Sequence, residues 1–203
     1  MKILGVSLGR SATKSLASFL VKNGFKTTHF YNSDEIKGTF TEDIDGMINY
    51  FNLTENDTEA FTDIPYCFIY EYFLKKYPDA KFIYIKRDIE SWVESMYEIN
   101  KIWSYSGEGY MFEEAYCNIY NKTNKTRIQD LTKDELRNIW IKHDQAITGF
   151  FKNNKNFIEV SLNDKEIANK LCSFLNVDFF NIFPKVNTRD SINRKSFNGN
   201  WNL

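Results

Sequence analysis

The segment GRSATKS, residues 9–15, combines cationic and hydroxyl side chains between an apolar run and a helical pattern. It follows ILGVSL and precedes LASFLVKNGF, whose apolar residues recur at helical spacing. Its charged and hydroxyl residues are Arg10, Ser11, Thr13, Lys14 and Ser15. A helix begins with backbone N–H groups that lack intrahelical acceptors and with the positive end of its dipole. The segment therefore predicts a phosphate-binding loop, although one of its hydroxyls could instead only cap the helix.

The segment departs from the ATP-binding loop G-x-x-x-x-G-K-[ST]. Aligning its Lys-Ser with the end of that motif puts Leu8 and Thr13 at the two glycine positions. The apolar segment KFIYIKRD ends in Lys-Arg, and its Asp88 comes only after them. No obvious carboxylate for a Mg²⁺ ion therefore stands at the end of this predicted strand. A P-loop kinase of a small metabolite is therefore a weakly supported alternative.

A second basic group lies in YIKRDIESWVESM, where Ser95 follows Arg87 by eight positions. Arg87 would lie at the end of a predicted strand, where its guanidinium can form paired hydrogen bonds with a phosphate. Ser95 would lie about two turns along the next helix. The alternative is that Arg87 pairs with Asp88 or Glu90 on the surface and that Ser95 is an ordinary helical residue.

These segments resemble the sulfotransferases that use 3′-phosphoadenosine-5′-phosphosulfate (PAPS). LGRSATKSLASFLVKNGF is similar to their 5′-phosphosulfate loop, FLGRSGTTSL, with Ala12 in place of glycine and Lys14 in place of threonine. If Ala12 has a positive φ, the strain is about 1 kcal/mol or more. Arg87 and Ser95 match the family's 3′-phosphate motif. The C-terminal SINRKSFNGNWNL resembles RKGxxGDWK, a loop that closes over the 3′-phosphate, and contributes Arg194, Lys195 and Ser196.

The resemblance implies transfer of a sulfuryl group from PAPS to an acceptor hydroxyl or amine, with adenosine 3′,5′-bisphosphate (PAP) as the product and no metal. Arg10 would stabilise charge on the bridging oxygen, with Lys14 as the second choice, and residues 10–15 would bind the 5′-phosphate. Asp63 in TEAFTDIP is the favoured general base and His29 the runner-up. The alternatives are that Asp63 caps the next helix and that His29 is simply packed.

Strands alternate with helices along the chain, which predicts an α/β three-layer sandwich with a mainly parallel central sheet and a P-loop-like strand–loop–helix at the N-terminus. The predicted strands are 2–8, 26–31, 58–65, 81–88 and 156–162. The predicted helices are 12–23, 41–52, 66–77, 89–101, 132–152 and 164–175. Because ligands of parallel sheets bind at the carboxyl ends of strands, the 9–15 segment, Asp63 and Arg87 should converge.

The composition limits the classes of function. With 26 basic and 27 acidic residues among 203, the chain shows no bias towards nucleic acid or a membrane surface. The three cysteines lack metal-ligand spacing and are expected to be buried free thiols. We expect a cytoplasmic, soluble protein without a signal peptide or transmembrane segment.

We expect one domain over residues 1–203, and residues 98–155 either cover an acceptor or pack as a helical pair. The acceptor would be a small molecule or a glycan. The oligomeric state is left open, and a nucleotide-binding homologue without activity is a further alternative.

Overall fold

The computed structural model describes residues 1–30, 43–106, 114–121, 130–178 and 180–186. Among these residues, one sheet contains strands β1 Ile3–Gly5, β2 Thr27–His29, β3 Ala60–Thr62, β4 Lys81–Lys86 and β5 Phe157–Ser161. Their order is β2-β3-β1-β4-β5, and every neighbouring pair is parallel. The prediction of a mainly parallel sheet is confirmed. Strand β1, which leads into the segment at residues 9–15, lies in the middle.

Helices connect these strands along the chain, and the last helix follows β5. They are α1 Thr13–Lys22, α2 Ile44–Thr54, α3 Tyr70–Lys76, α4 Ile89–Ser106, α5 Glu114–Tyr116, α6 Lys133–Phe150 and α7 Ile167–Leu175. A π-helical turn, Cys117–Asn121, follows α5. Helix α6 begins at a capping box in which the side chains of Thr132 and Glu135 bond to each other's backbone N–H groups. In the part of the chain described, no helix combines the length and the apolar character needed to cross a membrane.

One predicted helix is wrong in its first turn. Residues 66–77 were expected to form a single helix, but Tyr66–Phe68 is a 3-10 turn and α3 begins at Tyr70. Five consecutive side chains, from Tyr66 to Tyr70, are buried. An α-helix at a protein surface buries only one face, so the chain must turn differently to bury all of them.

Apolar side chains pack on both faces of the sheet. On one face, α1 and α7 pack through residues that include Leu16, Phe19 and Leu171. On the other, α2, α3, α4 and α6 pack through residues that include Phe51, Phe73, Trp92 and Ile139. The three-layer α/β sandwich is therefore confirmed, and Cys67, Cys117 and Cys172 are buried free thiols as expected.

The close packing of α1 on β1 depends on Gly5. A Cβ atom added there would lie 3.0 Å from Leu16 Cδ2 and 3.2 Å from Thr62 Cγ2. Since real Cβ atoms rarely approach other atoms so closely, a side chain at Gly5 would push α1 away from β1 and β3. Glycine thereby allows the helix to begin close to the carboxyl ends of the central strands.

Candidate functional site

The 9–15 loop (residues 9–15) connects β1 to α1 and is mostly buried. Ala12 is the N-cap residue of α1, with φ 60° and ψ 28°, and no side chain caps the helix there. Arg10 also has a positive φ, 67°. Arg10 and Ala12 are therefore two non-glycine residues with left-handed backbone conformations within three positions. Such a backbone indicates that the surrounding structure holds it in place.

Asp63 follows β3 and reaches the 9–15 loop. Its Oδ2 accepts a hydrogen bond from Thr13 Oγ1 at 2.5 Å, and its Oδ1 accepts one from the Ile64 N–H at 2.9 Å. The Asp63 side chain therefore does not cap the helical segment that follows, although its backbone carbonyl accepts a bond from the Cys67 N–H. Asp63 is 8% exposed and has a φ of 74°. It connects the end of β3 to the first turn of α1.

His29 ends β2 and lies beside Asp63. Its Nε2 is 3.7 Å from Asp63 Oδ2, and its Nδ1 is 3.1 Å from Thr62 Oγ1. Burial lowers the pKa of His29, the charge of Asp63 raises it in part, and the charge of Lys14 lowers it further. The imidazole is therefore neutral at neutral pH. The two residues predicted as alternative bases are neighbours at one edge of the sheet.

The predicted phosphate residues of two distant segments meet. Arg10 Nε donates to Ser95 Oγ at 3.2 Å, and Ser95 is 6% exposed. Arg87 Nη1 donates to the backbone carbonyl of Arg10 at 2.6 Å. Arg87 also donates to Ser91 Oγ from Nε at 3.2 Å and from Nη2 at 3.0 Å. The end of β4, the start of α4 and the 9–15 loop thus form one polar cluster.

The acids proposed as surface partners of Arg87 have other partners. Asp88 Oδ1 accepts a hydrogen bond from the Ser91 N–H at the start of α4. Glu90 accepts paired hydrogen bonds from Arg137 on α6, at 2.7 and 2.8 Å. These contacts hold the first turn of α4 against α6, so that Ser91 and Ser95 lie on the side of the loop.

The C-terminal part of the described chain returns to the loop. Ser15 Oγ accepts a hydrogen bond from the Val186 N–H at 3.2 Å, and the Phe183 ring packs on Phe19 of α1, with centroids 6.0 Å apart. The predicted phosphate residues Arg194, Lys195 and Ser196 lie outside the described residues.

Sequence reasoning missed two side chains that contact the loop. Tyr116 of α5 accepts a hydrogen bond from the Gly9 N–H, and Trp92 Nε1 donates to the Gly9 carbonyl. Tyr116 carried no sequence signal, because it lies 107 positions from its partner. Trp92 lies between Arg87 and Ser95 on α4, inside the segment that the sequence already assigned to the 3′-phosphate. That position is the signal from which its contact with the loop could have been suspected.

Within the described residues, no three His, Cys, Asp or Glu side chains are grouped to hold a metal ion.

Comparisons with known proteins agree with this arrangement. The model of the sulfotransferase domain family matches residues 2–192. The crystal structure of mouse sulfotransferase SULT7A1 complexed with PAP has a TM-score of 0.50 and 16% identity, covering 95% of this chain and 61% of the mouse chain. At that identity, the likeness shows the fold alone.

Ava biosynthesis cluster protein M of Aspergillus versicolor is 32% identical over 108 residues, which are 47% of this chain and 42% of the fungal protein. The chain therefore matches less than two thirds of the length of either relative. The family model, in contrast, spans nearly the whole chain, from residue 2 to residue 192. The chain belongs to the sulfotransferase domain family.

Proposed function

We propose that this protein transfers a sulfuryl group from PAPS to a hydroxyl or amine of an acceptor. The observation that carries the proposal is the contact of the 9–15 loop with the Arg87–Ser95 segment, through Arg10 Nε to Ser95 Oγ and Arg87 Nη1 to the Arg10 carbonyl. A nucleotide with phosphates at both its 5′ and 3′ positions requires two anion sites a short distance apart. The arrangement supports such a pair of sites at the carboxyl ends of β1 and β4.

In this proposal, the 5′-phosphosulfate binds at the start of α1, where the helix offers N–H groups and its positive dipole end. The residues assigned to that end of the nucleotide are Arg10, Ser11, Ala12, Thr13, Lys14 and Ser15. Arg87 and Ser95 bind the 3′-phosphate. A guanidinium carries several N–H donors, so Arg87 can keep the Arg10 carbonyl on Nη1 and turn other donors to the phosphate.

The C-terminal residues Arg194, Lys195 and Ser196 complete the 3′-phosphate site in the proposal. Val186 is bonded to Ser15, so the chain leaves the described part beside the loop. Eight further residues reach Arg194, a length of up to about 26–29 Å when extended. That reach is sufficient for the C-terminal residues to fold over the nucleotide.

The reaction would be an in-line displacement. The acceptor oxygen or nitrogen forms a bond to sulfur while the bond from sulfur to the bridging phosphate oxygen breaks, and PAP leaves. Arg10 stabilises the negative charge that develops on the bridging oxygen, with Lys14 as the second candidate. Arginine keeps its proton at all relevant pH values, so its role is electrostatic rather than acid catalysis.

Asp63 is the proposed base that accepts the acceptor's proton, and His29 is the alternative. Each carboxylate oxygen of Asp63 already accepts one hydrogen bond, from Thr13 or from Ile64. A carboxylate oxygen has a second lone pair, so these bonds orient the group without using its capacity. The neutral imidazole of His29, 3.7 Å away, could accept the proton in its place.

The acceptor belongs to the class of small molecules or glycans in this proposal. We also propose one domain over residues 1–203 and a cytoplasmic location. Residues 98–155 either cover the acceptor or pack as a helical pair, and the burial of Ala115, Tyr116 and Cys117, each at most 2% exposed, supports packing for that part.

A kinase remains the competing hypothesis because of one contact. In P-loop enzymes a loop Ser or Thr and an acid at a strand end hold Mg²⁺. Here Asp63 follows β3, next to β1, and accepts a bond from Thr13. The sequence had offered no obvious acid for this role after KFIYIKRD, and the acid that the structure offers lies on the other neighbour of β1.

Calorimetric titration separates these hypotheses. PAP, AMP and ATP with Mg²⁺ are titrated into the wild type, Arg87→Ala and the control Lys170→Ala, whose lysine on α7 pairs with Asp164. The proposal predicts that PAP binds tightest, and that only Arg87→Ala weakens it, by about 10- to 150-fold for a lost charged hydrogen bond. Preference for Mg-ATP, or equal binding of PAP and AMP, would contradict it. PAP binding without transfer to any acceptor class would indicate the inactive homologue.

A further inference from the structure

The two peptide groups of Gly9 are each bonded to a buried aromatic side chain. The Gly9 N–H donates to Tyr116 Oη at 2.9 Å, and the Gly9 carbonyl accepts from Trp92 Nε1 at 2.8 Å. Tyr116 is 1% exposed and Trp92 is fully buried. Tyr116 comes from α5 and Trp92 from α4, so two separate elements converge on one residue of the loop.

These bonds restrict the backbone dihedrals of Gly9. The N–H belongs to the peptide plane before its Cα atom, and the carbonyl belongs to the plane after it. Each plane is rigid, and only φ and ψ relate the two. Fixing both planes therefore fixes the direction in which the chain enters Arg10, whose φ of 67° is uncommon for a residue with a side chain.

The fit around Gly9 leaves little room for a side chain. An added Cβ would lie 3.0 Å from Tyr116 Oη and 3.2 Å from Asp63 Oδ1. Tyr116 and Asp63 thus approach the same side of Gly9. Because Gly9 is buried, an N–H group that lost its acceptor could not reach water without moving the loop.

We propose that Tyr116 and Trp92 are positioning residues of the 9–15 loop, which hold the Gly9 peptides so that residues 10–15 are presented to the 5′-phosphate. This inference rests on the proposed function, since it assumes that the loop binds that phosphate. Neither side chain needs to touch the nucleotide. Their effect on binding passes through the backbone of Gly9 and Arg10.

The chain offers a matched control for Tyr116→Phe. Tyr120 lies on the π-helical turn after α5 and is 9% exposed. Its hydroxyl bonds to His143 Nδ1 at 2.8 Å, and no bond from that hydroxyl to the loop is among those found in the described residues. Tyr120→Phe therefore removes a buried phenolic oxygen, as Tyr116→Phe does, from a neighbouring position in the chain. A merely structural contribution of Tyr116 would make the two variants behave alike.

The test measures binding of PAP and of adenosine 3′-phosphate, which lacks the 5′-phosphate, together with melting temperature. The proteins are the wild type, Tyr116→Phe, Trp92→Phe and Tyr120→Phe. The loss of one buried hydrogen bond corresponds to a factor of about 5 to 150 in an equilibrium constant. We expect PAP to bind at least about fivefold weaker to Tyr116→Phe and Trp92→Phe, and adenosine 3′-phosphate to lose clearly less affinity than PAP. Tyr120→Phe should bind both ligands like the wild type.

The outcomes are distinguishable. If wild-type protein fails to prefer PAP, the proposed function is wrong. If wild-type protein binds PAP and the Tyr116 and Trp92 variants bind it equally well, the positioning role is wrong. The same conclusion follows if all three variants lose melting temperature and PAP affinity together. Should Tyr116→Phe not fold at 10 °C, Trp92→Phe carries the same prediction. Amide exchange of wild-type Gly9 adds a readout without ligand: slow exchange is expected, and fast exchange would contradict the inference.

Discussion

Replacing Ala12 by glycine should stabilise the protein. Ala12 has φ 60° and ψ 28°, in the left-handed region, where the Cβ of an L-residue lies too close to the next carbonyl oxygen. Glycine has no Cβ and adopts this conformation freely. The backbone carbonyl of Ala12 accepts the first bond of α1, from the Leu16 N–H at 2.9 Å, and the substitution leaves that bond in place.

The size of the effect is a difference between two terms. Removing the left-handed strain contributes about 1–2 kcal/mol to the free energy of unfolding. The greater freedom of glycine in the unfolded chain costs about 0.4–1 kcal/mol. Glycine is also a better N-cap than alanine. The net gain is about 1 kcal/mol, which corresponds to a rise of roughly 2–4 °C in melting temperature for a chain of this size.

Urea unfolding measures the effect, with Ala146→Gly as the control. Ala146 lies inside α6, where glycine should instead lower the free energy of unfolding by about 1 kcal/mol. The same substitution is therefore expected to have opposite signs at the two positions. If Ala12→Gly destabilises the protein as much as Ala146→Gly does, the left-handed conformation of Ala12 and the strain argument are both refuted.

Two further predictions concern titratable groups. Burial lowers the pKa of His143 from 6.5 to about 4. Between these values the unfolded chain binds more protons, so the free energy of unfolding should fall by about 3 kcal/mol from pH 6.5 to 4. Urea unfolding at several pH values should show this fall in the wild type and a smaller one in His143→Gln; equal slopes would contradict the assignment. Asp63→Asn should lower the transfer rate by about 10²–10⁴-fold at saturating PAPS, with PAP affinity nearly unchanged. A lost affinity with a normal rate would instead make Asp63 a residue that only orients Thr13.

The existence and order of the strands could be predicted from local sequence, although each strand is shorter than predicted. KFIYIKRD is a short apolar run with charges at its ends, and it forms β4 over Lys81–Lys86. Once strands alternate with helices, the rule for parallel sheets places the loop, Asp63 and Arg87 at one edge. The structure brings these three together, through Thr13 and the Arg10 carbonyl. Local pattern and topology were sufficient for this part of the candidate site.

The aromatic support of the loop could not be predicted in this way. Tyr116 and Trp92 lie 107 and 83 positions from Gly9, and periodicity describes only neighbours along the chain. The helix predicted over residues 66–77 was wrong at the 3-10 turn before α3 for a related reason. Its first residues are buried by several elements at once, so tertiary packing rather than propensity decides the backbone there.

We propose that the 9–15 loop binds the 5′ end of a nucleotide whose 3′-phosphate binds at Arg87. A crystal structure of the complex with PAP tests it most directly. We expect the 5′-phosphate within hydrogen-bond distance of the first-turn N–H groups of α1, and the 3′-phosphate on Arg87 and Ser95. A 5′-phosphate away from the 9–15 loop, or a 3′-phosphate that contacts neither Arg87 nor Ser95, would contradict it.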